Sequence, residues 1–243
     1  MFVNAICNSI LPKTQKEIVA EWDIKISPAG WAFAIWGIIY TMLTVFVVYQ
    51  ALPSKYVPER SNDLIFGKIG YTFTANMIVN AFWLLIFGQD NKYCFALSFA
   101  DDVLLYGTGI VILRLADANK LNGLVEKVFL RGTFSIYAGW LTTATILNIA
   151  FMLKSWGLKG DFEVTLSVCI LAIAEVIYCI ISYHERNPLF GAVFIWVLFA
   201  IKDFENMHAP IVSACNILLP IHAIMLVIIA ISSRNPKKRG LFF

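Results

Sequence analysis

Charge is the first thing this sequence is short of. Only 14% of its 243 residues are charged, against about 25% in an ordinary soluble domain, where apolar residues make up roughly 45–50%. Here 59% are hydrophobic, and a soluble globule of this size would lack the polar residues to cover itself. The mean hydropathy of +0.74 puts the chain among integral membrane proteins. The net charge of +3 is small and scattered, so it gives no footprint for nucleic acid and none is expected as a partner.

Metal and disulfide signatures are missing too. The five cysteines (Cys7, Cys94, Cys169, Cys179 and Cys215) are odd in number and show no C-x-x-C spacing. Four lie inside apolar runs, so they read as reduced, packing thiols. The three histidines, His184, His208 and His222, show no H-x-x-x-H spacing. They fall at different depths, with His222 about 20 Å from His208 at 1.5 Å per helical residue. No metal site and no axial haem pair is expected. There is no recognisable nucleophile–base pair and no phosphate loop, so the chain does not read as an enzyme. The N-terminal stretch lacks a basic n-region and a small-residue cleavage site, which argues against a signal peptide. The last apolar run has no lysine for a Schiff base, which excludes a microbial-rhodopsin reading.

What is present is a set of seven apolar runs: Gly30–Leu52, Ile69–Phe87, Tyr93–Leu115, Val128–Leu153, Val164–Tyr183, Leu189–Ile201 and Ala209–Ser232. Most reach the ~20 residues that cross a hydrocarbon core of about 30 Å. Leu189–Ile201, with thirteen, is short for a crossing. The expected fold is an all-α integral membrane protein, a bundle of about seven transmembrane helices. Twelve of the nineteen lysines and arginines fall in the odd-numbered connections and the tail, and seven fall on the opposite side. The bias places the C-terminus on the cytoplasm-like side and the N-terminus opposite. The membrane could be mitochondrial or plasma.

Three regions follow. Residues 1–27 hold "FVNAICNSILP", too short to span, which reads as an interfacial segment or helix stub. Residues 28–157 carry four apolar runs. Residues 158–243 add three more and a basic tail. "SYHERNP" and "SSRNP" close two helices alike: a snorkelling cation, an Asn tolerant of left-handed backbone, then a proline that stops the helix. The sterol-type pattern Leu52–Tyr56–Arg60 is interrupted by Pro53 and Pro58, and such patterns specify little.

Polar and aromatic residues at helical spacing are the informative ones, because polar groups are costly to bury in lipid. Trp36 and Tyr40 stand at i and i+4. Asn80 and Trp83 stand at i and i+3, with Asn76 one turn earlier. Trp140, Ala144, Leu147 and Asn148 share one face of the fourth run. Such stripes either line an apolar slot for a flat ligand, with the amides on its polar edge, or pack helices together. Asp101 and Asp102 lie inside the third run, where Asp102 reads first as a helix–helix bonding group. Glu175 stands mid-helix in "LAIAEVIYCII" on a face with Tyr178 and Cys179. No cation lies in its own helix, so it reads as a neutral hydrogen-bonded or a proton-handling carboxylate.

"SPAGWAFAIWGIIY", "NAFWLLIFG", "ADDVLLY" and "YAGWLTTATILN" together resemble successive signatures of the tryptophan-rich sensory protein, or translocator protein (peripheral benzodiazepine receptor), family. The matching positions are Pro28, Trp36 and Tyr40; then Asn80, Trp83 and Phe87; then Asp102 and Leu105. The last set is Tyr137, Trp140, Ala144, Leu147 and Asn148. The likeness covers roughly residues 27–157, within a first half similar to the family's five-helix fold. An extended form with extra C-terminal helices and a truncated N-terminus is the closer match. The resemblance implies binding, transport or sensing of a flat hydrophobic ligand, a haem or other porphyrin, a sterol or a lipid. Trp36, Tyr40, Asn80, Trp83, Tyr137, Trp140, Ala144, Leu147 and Asn148 are then the ligand-binding set. The alternative is a non-catalytic accessory subunit of a larger membrane complex, such as a respiratory-chain assembly. Its partners would be other membrane subunits or a second copy in a homodimer.

Overall fold

A computed structural model describes residues 13, 15–57, 60–117, 121, 123–205 and 207–233. All regular structure among them is helical. Helix α1 is Gln15–Trp22, and a tight turn at Gly30–Ala34 leads into α2, Ile35–Ala51. A wide helical turn at Asp63–Ile69 leads into α3, Gly70–Phe87, and α4 is Lys92–Leu115. A second wide turn, Glu126–Leu130, opens α5, Arg131–Ser155. Then come α6 (Gly160–His184), α7 (Pro188–Lys202) and α8 (Ala209–Ser233). The stub "FVNAICNSILP", Cys7 and the basic tail lie outside the described residues.

Counted with their lead-in turns, α2, α3, α4, α5, α6 and α8 are long and apolar enough to cross a membrane. Their outward faces are greasy: Val48, Ile78, Leu104, Ile180 and Ile231 are all exposed, whereas Asn76, Asp102, Asn148, Glu175 and His222 are buried. That inside-out distribution suits hydrocarbon as the solvent, where each polar group needs a protein partner. The centre is α5, 61% buried over its apolar window against 17% for α8, and it packs on α2, α4, α6 and α7.

The thirteen-residue run is the shorter helix α7, fifteen residues or about 22 Å long. It still runs from one face of the bundle to the other. At its start the Asn187 amide donates to Ser135 Oγ near the beginning of α5, at 2.7 Å. Near its end the Ala200 carbonyl accepts from the Ala29 N–H at 2.8 Å. Phe190, Val193, Phe194, Val197, Leu198 and Ile201 are all buried. Sheathed by α5, α6 and α8, α7 has little lipid to match.

Polar contacts mark the two faces. On the first, Lys13 meets Asp90 at 2.5 Å and also Glu21, the Trp22 indole donates to Asp90 at 2.5 Å, and Trp31 donates to Asp203 at 2.8 Å. Hydrogen bonds from Lys13 to Asp90 and Glu21 raise the lysine's pKa above its ordinary value. On the second face, buried Glu126 accepts from Ser61 N–H, Ser61 Oγ and Tyr49 Oη. Arg60 donates to the Tyr49, Gln50 and Leu52 carbonyls, closing the C-terminus of α2. That is what this arginine of the sterol-type pattern does.

The "RNP" stop works differently from its expected form. Arg186, not the asparagine, takes the left-handed backbone, at φ 46°. Asn187 instead caps the next helix: its Oδ1 accepts from Phe190 N–H at 3.2 Å, with Pro188 in the first turn. The second copy, from residue 234 on, lies outside the described residues.

Candidate functional site

Trp36, Trp83 and Trp140 reach one cleft from three different helices. Its remaining walls are Val19, Phe33, Phe87, Ala144, Leu147, Asn148 and Phe151. Helical spacing delivers the α5 wall: Trp140, Ala144, Leu147 and Phe151 succeed one another on one face. Trp140 is the fixed element, 2% exposed. Phe33 and Trp36 meet it nearly perpendicular, with ring centroids 5.8 and 6.1 Å away. Tyr40 stacks on Trp36 with ring centroids 5.2 Å apart. Trp83 stacks on Phe87 at 5.1 Å, and Phe87 meets Phe151 edge-on at 5.3 Å. These geometries are the offset and T-shaped pairings that aromatic quadrupoles favour.

The cleft has a polar floor. The Asn148 amide donates to the Asp102 carboxylate, and its Oδ1 accepts from Ser98 Oγ at 2.8 Å. Asp102 is 1% exposed, and this bond ties α4 to α5. The Trp83 indole N–H is buried and interacts with the Asp102 carboxylate, in a geometry that falls short of a well-formed hydrogen bond. A buried donor held in that way is under-satisfied. The cavity as it stands is about 40 Å³, room for a few waters.

Six of the nine residues named from sequence therefore line the cleft: Trp36, Trp83, Trp140, Ala144, Leu147 and Asn148. Tyr40, Asn80 and Tyr137 lie outside the lining. Asn80 donates to Tyr137 Oη at 3.4 Å, Tyr137 donates to Asn76 Oδ1 at 2.6 Å, and Asn76 donates to Thr108 Oγ1 at 2.7 Å. That chain of buried bonds joins α3, α4 and α5. Sequence reasoning did not name Val19, Phe33, Phe87 and Phe151 as lining. Val19 carries no signal in the sequence, because α1 stands in the segment that reads as an interfacial stub. Phe151 had a signal, one turn beyond Leu147 on the same stripe.

Glu175 has a partner from another helix. His222 of α8 places Nδ1 3.0 Å from its Oε2, while Cys179 Sγ donates to Oε1 at 3.0 Å. Sequence alone gave no metal-ligand set, because Glu175 and His222 stand 47 residues apart. Cys94, Cys169, Cys179 and Cys215 are free thiols.

Fold and cleft together define an α-helical integral membrane bundle with an aromatic crevice between its helices. A family model described as TSPO-like protein matches residues 1–231, and the chain belongs to that family. The match runs well past the motif-bearing stretch 27–157 and takes in α6, α7 and most of α8. Comparisons with curated proteins and with solved structures found no match.

Proposed function

We propose that the protein binds a flat hydrophobic ligand, a tetrapyrrole or a sterol, in the cleft between α2, α3 and α5, in the service of carriage or sensing and not of catalysis. One observation carries this reading: three tryptophans from three helices converge on one crevice, beside a buried indole N–H that makes only a poorly aligned contact with the Asp102 carboxylate. Apolar walls with a few convergent polar groups are what such ligands require. The Trp83 N–H would meet a ligand acceptor, and Trp36 would act as the movable edge.

Protoporphyrin IX titrated into the protein in nanodiscs tests it. Tryptophan fluorescence should quench saturably, and Trp140→Ala should weaken binding at least tenfold. Affinity unchanged in Trp140→Ala, Trp83→Ala and the double variant would sink the reading.

The small cavity favours a second reading, a structural subunit of a larger membrane assembly such as a respiratory-chain complex. Purification from native membranes decides between them: a stoichiometric set of partner chains supports the scaffold, and a co-purifying pigment or sterol supports the binder.

A further inference from the structure

We propose that Glu175, Cys179 and His222 form an intramembrane binding site for a borderline-soft divalent cation of the zinc type, separate from the aromatic cleft. The three side chains present one carboxylate oxygen, one sulfur and one imidazole nitrogen, all within 4.8 Å of one another. Glu175 and Cys179 are i and i+4 on α6, one above the other on a single helix face, and His222 enters from α8. Nδ1 lies 3.0 Å from Oε2, while Sγ lies 3.0 Å from the other carboxylate oxygen, Oε1, and 3.9 Å from Nδ1. Tetrahedral zinc with ordinary metal–ligand bonds needs edges of about 3.4–3.6 Å. The sulfur–nitrogen distance lies near that length, and the carboxylate meets its two neighbours through different oxygens, so one of those oxygens must turn between them for the site to close.

The histidine is already set for ligation. Its Nε2 stands 3.0 Å from the Gly191 carbonyl, and a carbonyl only accepts, so Nε2 carries the hydrogen. Nδ1 is thereby left facing the carboxylate, and two acceptors 3.0 Å apart require a positive charge between them, either a proton or a metal ion. Orientation of a ligating imidazole by a hydrogen bond from its other nitrogen is the usual arrangement at metal sites. Position 191 has room only for glycine: an added Cβ would fall 2.5 Å from Leu226 Cδ2, 2.6 Å from Ser182 Oγ and 3.1 Å from His222 Nε2. Close approach of α7 to α8 at Gly191 is what brings the carbonyl to the ring. Phe194 and Tyr178 flank the imidazole at 5.2 and 6.2 Å, and His222 is 0% exposed.

Charge balance selects the kind of ion. With Glu175 ionised, Cys179 as thiolate and His222 neutral, a divalent cation makes the site neutral overall, the cheapest state in hydrocarbon. Two protons leave to solvent as the ion enters: the one shared by Glu175 and His222, and the thiol proton of Cys179. A sulfur and a nitrogen among three ligands favour zinc over magnesium or calcium, which take oxygen. Three protein ligands leave a fourth position for water or another donor.

Cobalt(II) is the direct probe. Chelator-treated full-length protein in nanodiscs, titrated with Co²⁺, should develop thiolate-to-cobalt charge-transfer absorption at one ion per chain, and Zn²⁺ should displace it. Cys179→Ser should abolish that absorption, and His222→Gln should weaken Co²⁺ binding by about tenfold or more. Cys94→Ser, Cys169→Ser and Trp140→Ala should leave it unchanged, which separates this site from the aromatic cleft. Cys179 is only half-buried and serine is nearly isosteric, so Cys179→Ser remains decisive if His222→Gln does not fold. Absence of the charge-transfer absorption in wild type, or its survival in Cys179→Ser, would overturn the proposal and leave the cluster a proton-sharing pair.

Discussion

Asn148 of α5 donates its amide to the buried carboxylate of Asp102 on α4 while accepting from Ser98 Oγ at 2.8 Å. One side chain thus satisfies two groups on the neighbouring helix and forms the floor beneath Trp140. Interhelical hydrogen bonds of this kind join helices in lipid at about 0.6–2 kcal/mol each.

The pairing sets an order of sensitivity. Asp102→Asn keeps an oxygen that accepts from Asn148 and should lie within about 1 kcal/mol of wild type. Asn148→Ala removes the amide that donates to buried Asp102, while Ser98 keeps the Phe95 carbonyl as an acceptor at 3.0 Å, and should cost about 1–3 kcal/mol. Thermal unfolding in nanodiscs measures both. Equal losses in the two variants would mean that the Asp102 charge matters beyond this bond.

At the α5–α7 crossing, a Cβ on Gly139 would sit 2.8 Å from Val193 Cγ2 and 2.9 Å from the Phe190 carbonyl oxygen. The Tyr178 hydroxyl donates to the Gly139 carbonyl at 2.5 Å. Gly139→Ala should therefore cost about 1–3 kcal/mol by forcing the helices apart. Tyr178→Phe should cost a smaller 0.5–1.5 kcal/mol or so. The reverse ranking in thermal unfolding would show that the hydrogen bond, not close approach, dominates the crossing.

Glu126 anchors the α2–α3 connection by accepting from Ser61 N–H and Oγ and from Tyr49 Oη. Glu126→Ala should cost about 1–3 kcal/mol and speed proteolysis between residues 52 and 62. Tyr49→Phe, which removes only one of these donors, should have the milder effect. Unchanged cleavage in Glu126→Ala would show that the connection is held by other contacts.

Orientation is testable at two exposed lysines on opposite faces. In sealed vesicles, a membrane-impermeant maleimide should reach Lys55→Cys only from the cytoplasm-like side and Lys92→Cys only from the other. Labelling of both from one side would contradict the alternation of consecutive helices.

The sequence by itself determined the solvent and one stripe of the cleft. Scarce charge and long apolar runs dictate a helical membrane bundle, because only helices and closed barrels satisfy their own backbones in lipid. Spacing of i, i+4 and i+7 on α5 was enough to find Trp140, Ala144 and Leu147 on one face, since that relation is local to one helix. What tertiary structure alone decided is which stripes meet. Tyr40, Asn80 and Tyr137 carry the same motif signal as Trp36 and Trp83, yet they fall outside the cleft, because helix rotation is set by packing against neighbours and not by the helix's own sequence. Val19 joins the wall only because Lys13 and Trp22 tie α1 to Asp90, a contact between residues 68 and 77 positions apart. Glu175 shows no cation within its own helix for the same reason. Its counterpart His222 arrives from another helix, brought close where Gly191 leaves room.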